Sequence, residues 1–221
     1  DLPFLIKDRD QAYAALDGPL GKILADKLAA CSGFRLLGLW DNGFRHFTNR
    51  LRAIHEPADC KGMCIRTLFS DLHAEVFLRL GFEPMALDVK DLVAGVKDGT
   101  IDAQENPLTN TYNFGVHHHH RHVTLSSHLF GAAGLLCHNH SYLSWPAHVQ
   151  HAVDVAADAA TAHQRGLAAA EDTEMLPLLE QADTEIVRLS DAERALFVDA
   201  VAPLINAQRT KFGTGLFDHL G

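Results

Sequence analysis

The sequence has no uninterrupted apolar run long enough to cross a bilayer. Its best candidate, Leu129–Cys137, is short and has His128 and His138 at its sides. No membrane span or direct membrane insertion is expected. A basic surplus is missing as well: 19 Lys and Arg stand against 28 Asp and Glu, a formal charge of −9. Nucleic acid demands a clustered basic face, so it is set aside as a partner, and any positive charge offered to an anionic ligand must be local. The opening DLPFLIKDRD shows no basic n-region, apolar h-region or small-residue cleavage site, so no signal peptide is read in this stretch. Cysteine is scarce. Of the four, Cys60 and Cys64 stand in CKGMC with no second pair at ribbon or finger spacing, so no metal role is expected for them, and a disulfide between them stays open on geometry. HExxH, a GxSxG elbow and a cysteine nucleophile in a recognisable setting are absent, as are internal repeats, low-complexity linkers and sustained heptads.

What is present is an alternation of short strands and helices. With 221 residues, 47% of them hydrophobic and 21% charged, the chain can bury one large core or two modest ones. The segment from Asp8 to Cys31 reads as two helices, with Leu20, Ile23, Leu24 and Leu28 at helical spacing, and breaks at Ser32 and Gly33. FRLLGLWDNG then reads as a buried strand closing on a turn at Asp41, Asn42 and Gly43. From Lys61 the pattern is regular. MCIRT, EPMAL and TIDA are read as strands; between them lie a helix capped by Ser70 and stopped by Gly81, and a helix opening at Asp88 and ending at Gly99. Strands separated by helices imply a parallel sheet whose ligand crevice lies beyond the carboxyl ends of the strands. Further on, the residues after Pro146 predict one long helix with Val149, Ala152, Val153, Ala156 and Ala160 on its apolar stripe. TEIVRL predicts a strand, and a capping box from Ser190 to Glu193 opens a last helix that Pro203 should kink or divide.

The residues that suggest function are Arg45 in WDNGFRHFTN, Arg66 in KGMCIRT, and Asn106 in GTIDAQENPL. A guanidinium meets a carboxylate through two parallel charge-assisted hydrogen bonds, and an amide adds a donor without adding charge. The pattern points to recognition of a small organic acid rather than to chemistry. Each residue also has a structural reading. Either arginine fits a salt bridge, Asn106 fits as the cap of a helix beginning at Pro107, and Trp40 fits as core.

The run VHHHHRH, residues 116–122, is read as the end of the helix that follows QENP, where imidazoles suit exposed carbonyls. The competing reading is a metal site built on His118 and His122, one helical turn apart, which would serve a metal-dependent hydrolase. No carboxylate or cysteine stands at a clear ligand spacing beside the run, so neither a metal nor any other cofactor is expected.

LPFLIKD, WDNGFRHFTN, CKGMCIRT, LGFEPMALDVKDLVAGVKDGTIDAQENPLTN and the long helix after SWPAHVQ resemble, in that order, the solute-binding subunit of tripartite ATP-independent periplasmic (TRAP) transporters, the DctP-type family. The resemblance implies a periplasmic-binding-protein-like α/β fold of two lobes, joined by crossing strands and a long helix, that closes on a carboxylate and delivers it to the permease subunits in the membrane. It implies a periplasmic location and no enzyme activity, with a sensory binding protein as a further possibility of the same kind. By the family pattern Arg66 pairs with the substrate carboxylate, Arg45 and Asn106 assist, and Phe69 and Asp88 hold substrate-specific places. LPFLIKD resembles a segment inside the family's first lobe, so that lobe is expected to be incomplete: residues 1–41 and 132–170 would be its remainder with the hinge-spanning helix. Residues 42–131 would form the ligand-anchoring second lobe, and residues 171–221 helices packed on it. The incomplete lobe is expected to expose apolar edges and to have poor stability of its own.

Overall fold

The structure, a computed structural model, describes residues 2–220, so the end residues 1 and 221 of the expected segments lie outside it. Its chain runs α1 (Arg9–Asp17), α2 (Pro19–Ser32), β1 (Phe34–Asn49), β2 (Cys64–Thr67), α3 (Asp71–Arg79), β3 (Glu83–Ala86), α4 (Val89–Asp98), β4 (Ala103–Asn106) and α5 (Leu108–Asn113). There follow β5 (His122–His138), α6 (Asn139–Ser144), α7 (Ala147–Gln181), β6 (Glu185–Arg188), α8 (Asp191–Phe212) and α9 (Thr214–Phe217). The described strands form a six-stranded sheet in the order β3-β2-β4-β1-β5-β6. β2 pairs in parallel with both β3 and β4, but β1 lies antiparallel to β4, with His46 opposite Asn106, so the sheet is mixed rather than parallel throughout.

Contacts divide the chain into two compact units. The first holds the opening residues up to Leu5, Phe44–Phe130 and Glu171–Phe212; the second holds Ile6–Gly43, Gly131–Ala170 and the closing residues from Gly213. Both chain ends therefore fall on the opposite side of the division from the one expected. β1, β5 and α7 each carry the chain from one unit into the other.

In the first unit the sequence pattern explains the core directly. α3 buries His73, Val76 and Phe77, and Leu80 follows at the same spacing; α8 buries Phe197, Val201, Leu204 and Ile205, again one face of a 3.6-residue repeat. These meet around Phe47, whose ring lies edge-on to Phe77 at 6.1 Å and Phe82 at 5.7 Å. Caps close the helices as the sequence implies. Ser70 accepts from the His73 N–H, Asp88 from the Lys90 N–H, and the box of Ser190 and Glu193 is complete in both directions.

The second unit is built differently. The expected turn at Asp41–Gly43 is no turn: β1 continues through it, with Gly43 at φ 84° and its N–H held by Asp41 Oδ1 at 2.6 Å. A glycine absorbs the left-handed backbone that another residue would resist, so the strand bends instead of ending. In α7 the stripe is also displaced from expectation. Val149 and Val153 are half-buried as expected, but Ala152, Ala156 and Ala160 are exposed, while Asp154, Ala157, Thr161, Gln164 and Arg165 turn inward. Polar contacts set this phase: Thr161 Oγ1 accepts from Trp40 Nε1 at 3.2 Å, and Gln164 bonds both backbone groups of Asp41. Pro177 lies within α7 and Pro203 within α8; neither divides its helix.

Candidate functional site

Arg66 is the third residue of a four-residue strand, four places before the helix cap Ser70. At the carboxyl ends of β2, β3 and β4 the chain leaves the sheet for loops, and Arg66, Leu87 and Asn106 gather there. Arg66 is only 4% exposed. Its Nε donates to the Leu87 carbonyl at 2.8 Å, and among the described contacts its two Nη groups have no protein acceptor and no carboxylate in ion-pair range. Burial lowers the affinity of this guanidinium for its proton, opposed by Glu105 and Asp88 and reinforced by Arg45. A desolvated cation without a counter-ion is costly, which is the condition an incoming carboxylate relieves.

Arg45 is placed otherwise. It clamps Glu105 with both Nε and Nη2, the Nη2 bond being 2.7 Å, and Nη2 also reaches the Glu105 carbonyl at 2.8 Å and Asn106 Oδ1 at 3.2 Å. Glu105 is wholly buried. Burial alone would raise its pKa, but Arg45, His128 and His73 outweigh it and hold the carboxyl well below the usual range. His73 Nδ1 accepts from the Leu68 N–H at 3.2 Å, which assigns the proton to Nε2, 3.4 Å from Glu105 Oε1. His128 Nε2 lies 3.3 Å from Oε2, and its ring is stacked 4.3 Å from Phe47; burial lowers its pKa, so it stays neutral. Neither imidazole line to Glu105 is aligned as a full hydrogen bond, so proximity rather than direction is what they supply.

Asn106 is buried and does not cap a helix. α5 begins at Leu108 with Pro107 in the cap position, and the Asn106 side chain instead accepts from Arg45 and Asn110 and donates to Gln104 Oε1. Gln104 donates in turn to Thr48 Oγ1 at 2.7 Å, and Thr48 meets His120 Nδ1 at 3.0 Å. Phe69 is 76% exposed, and Asp88 is exposed at the start of α4.

The histidine run does not end α5, which stops at Asn113. After Gly115 the run forms a tight 3-10 turn at Val116–His118 and passes into β5. Its rings are spent separately: His117 stacks on Tyr112 at 4.6 Å, His120 is buried on Thr48, and His122 Nδ1 lies 2.9 Å from Glu185. His118 and His122 thus belong to different elements, and among the described residues no group of three or more His, Cys, Asp or Glu is disposed to hold a metal. Cys60 and Cys64 are both free thiols.

The sequence reading missed Glu105, His73, His128 and Gln104. A signal existed in AQEN: a glutamate in a short strand between two neighbours has no route to water and must find its cation on an adjacent strand.

The mixed sheet with helices between its strands, carrying a buried guanidinium at the strand ends, places the protein in the α/β class. The chain belongs to the DctP family of bacterial extracellular solute-binding proteins, family 7, whose model matches residues 1–211. It is 31% identical over 221 residues to a solute-binding protein of Verminephrobacter eiseniae, covering all of this chain and 65% of that one. It is 28% identical over 201 residues to the 2,3-diketo-L-gulonate-binding periplasmic protein YiaO of Escherichia coli, covering 91% of this chain and 60% of that one. The chain thus spans somewhat under two thirds of the length of these relatives. Its fold is that of the TRAP periplasmic solute-binding proteins. The sugar acid binding protein of Advenella mimigardefordensis in complex with galactonate matches with a TM-score of 0.91 at 28% identity, over 99% of this chain and 72% of that one. A TRAP periplasmic solute-binding protein of Ralstonia eutropha with bound (S)-2-acetolactate matches at 0.94 and 26% identity, over 99% and 71%.

Proposed function

We propose that this chain is the solute-capturing part of an extracytoplasmic TRAP transporter subunit, which holds a small organic carboxylate in the periplasm and passes it to membrane permease subunits. The observation that carries the reading is Arg66, buried to 4% with both Nη groups unclaimed by the described residues. In the proposed complex the carboxylate takes those groups side by side. Asn106 Nδ2 offers its second hydrogen, and Arg45, fixed by Glu105, contributes its remaining Nη1. The role is capture rather than catalysis; relatives that are named for, or crystallised with, diketogulonate, galactonate and acetolactate support the same ligand class. Phe69 and Asp88 face the part of the ligand beyond its carboxylate. Calorimetric titration with hydroxy and sugar acids tests the assignment. Arg66→Ala should lower affinity about 100-fold or more with the circular dichroism spectrum preserved. Unchanged affinity in that variant overturns it.

A further inference from the structure

We infer that this site admits one carboxylate and disfavours a second, so that its ligands are hydroxylated monocarboxylic acids, and that Asp88 and Glu105 set this count. The inference rests on the proposed role of Arg66. Of the two arginines, Arg45 is already neutralised: Glu105, wholly buried, accepts from its Nε and Nη2 and again through its main-chain carbonyl. Arg66 is left as the site cation that, among the described residues, no carboxylate holds. Its own position brings an anion close. Nε is bound to the carbonyl of Leu87, and the next residue is Asp88, exposed, whose Oδ1 is used by the Lys90 N–H and whose Oδ2 has no described protein partner.

A ligand carboxylate paired to Arg66 uses the site cation that no described carboxylate holds. A second carboxylate on the same small molecule then enters the field of Asp88, with Arg45 unable to offset it because Glu105 has already done so. Like charges brought together across a recognition surface repel, and such repulsion rejects a competitor without new contacts to the preferred ligand. A hydroxyl in the same place meets no penalty. It donates to Asp88 Oδ2, and its partner atom is an acceptor that would otherwise bond only water.

Matched acids that differ only in the second carboxylate test this: gluconate against glucarate, and 4-hydroxybutyrate against succinate, titrated into the protein at low ionic strength. In each pair the monocarboxylate should bind about tenfold more tightly, the size expected of one screened charge pair at several ångströms. Asp88→Asn should narrow the gap by strengthening the dicarboxylate. Asn is as good a helix cap as Asp, so α4 is kept. Glu105→Gln should narrow it further by releasing Arg45; should that buried substitution unfold the protein, Asp88→Asn still decides. Dicarboxylates that bind as tightly as their partners, or a gap unmoved by Asp88→Asn, overturn the inference while the Arg66 assignment stands if Arg66→Ala abolishes binding. Failure of all four acids to bind the unaltered protein overturns both.

Discussion

The two units are held by different forces. Every apolar core cluster among the described residues lies in the unit built on β2, β3 and β4, where Phe47, Phe77, Phe82 and Phe197 are buried together. In the other unit the buried apolar residues are Ala12, Ala15, Tyr142, Ala157 and Phe217, while Leu24, Phe34, Leu136, Leu143, Val155 and Leu167 stay exposed. Polar contacts do the joining there. Asp41 accepts from Arg9 at 2.7 Å and Tyr13 at 2.6 Å; Arg165 forks onto Asp17 and reaches the Leu39 carbonyl. A net hydrogen bond contributes about 1 kcal/mol and a fully buried large apolar side chain about 1.5–3 kcal/mol, so the anchoring unit should be the more stable. The buried guanidinium of Arg66 thus stands in the unit with the larger apolar core, where it can be held in place.

The largest test is removal of the ring at the centre of the first core. Phe47→Ala should cost about 3–5 kcal/mol in denaturant titration, with faster amide exchange confined to that unit. Loss spread evenly over both units would break the comparison. Acid provides a smaller one. Burial lowers the pKa of His120 to about 4, with His119 and Arg50 adding to the effect and Asp102 opposing it. Its folded pKa lies below its unfolded value near 6.5, so the unfolded state binds the proton first. Stability present above pH 6.5 is lost as pH falls to about 4, by about 3 kcal/mol at most. Glu105 acts in the same direction at lower pH, as a carboxylate with depressed pKa whose contribution goes when it is protonated. A His120→Gln variant should lose stability less steeply between pH 6.5 and 4, the remaining slope coming from groups such as His128 whose pKa burial also lowers; a slope equal to that of the unaltered protein would remove His120 from the account.

How much of this was legible differs by element. The helices and strands from Cys64 to Asp98 follow their caps and glycines because local chemistry decides them: Ser70, Gly81, Asp88 and Gly99 stand where the sequence implies. The bend at Gly43 was not legible, since Asp-Asn-Gly has the same composition in a turn and in a bent strand, and only the pairing of both flanks distinguishes them. The alanines of α7, unlike Val149 and Val153, were misplaced for a related reason. Alanine is small enough to face either way, so the inward face was fixed by Thr161, Gln164 and Arg165, whose partners lie more than 120 residues away. At the site, the strand-end place of Arg66 was legible in MCIRT. Arg45 was not, because its pairing depends on the antiparallel register that sets β1 against β4.

The smallest expected effect belongs to Tyr13, and it carries the comparison into alkali. Its hydroxyl donates to Asp41, and its pKa is raised to about 12, first by burial and then by the bond and charge of Asp41, with Arg9 opposing. Below pH 10 the phenol is protonated whether the chain is folded or not, and its bond contributes fully. Between pH 10 and about 12 the unfolded state ionises alone, so the contribution is lost as pH rises through that window. Tyr13→Phe should therefore cost about 1 kcal/mol at neutral pH and make no further loss of this kind above pH 10. The difference between variant and unaltered protein isolates Tyr13 from lysines and cysteines that titrate in the same range. Exchange in the Phe47 unit should not respond. If it does, Asp41 and its partners stabilise more than their own unit, and the division of forces drawn above fails at its polar end.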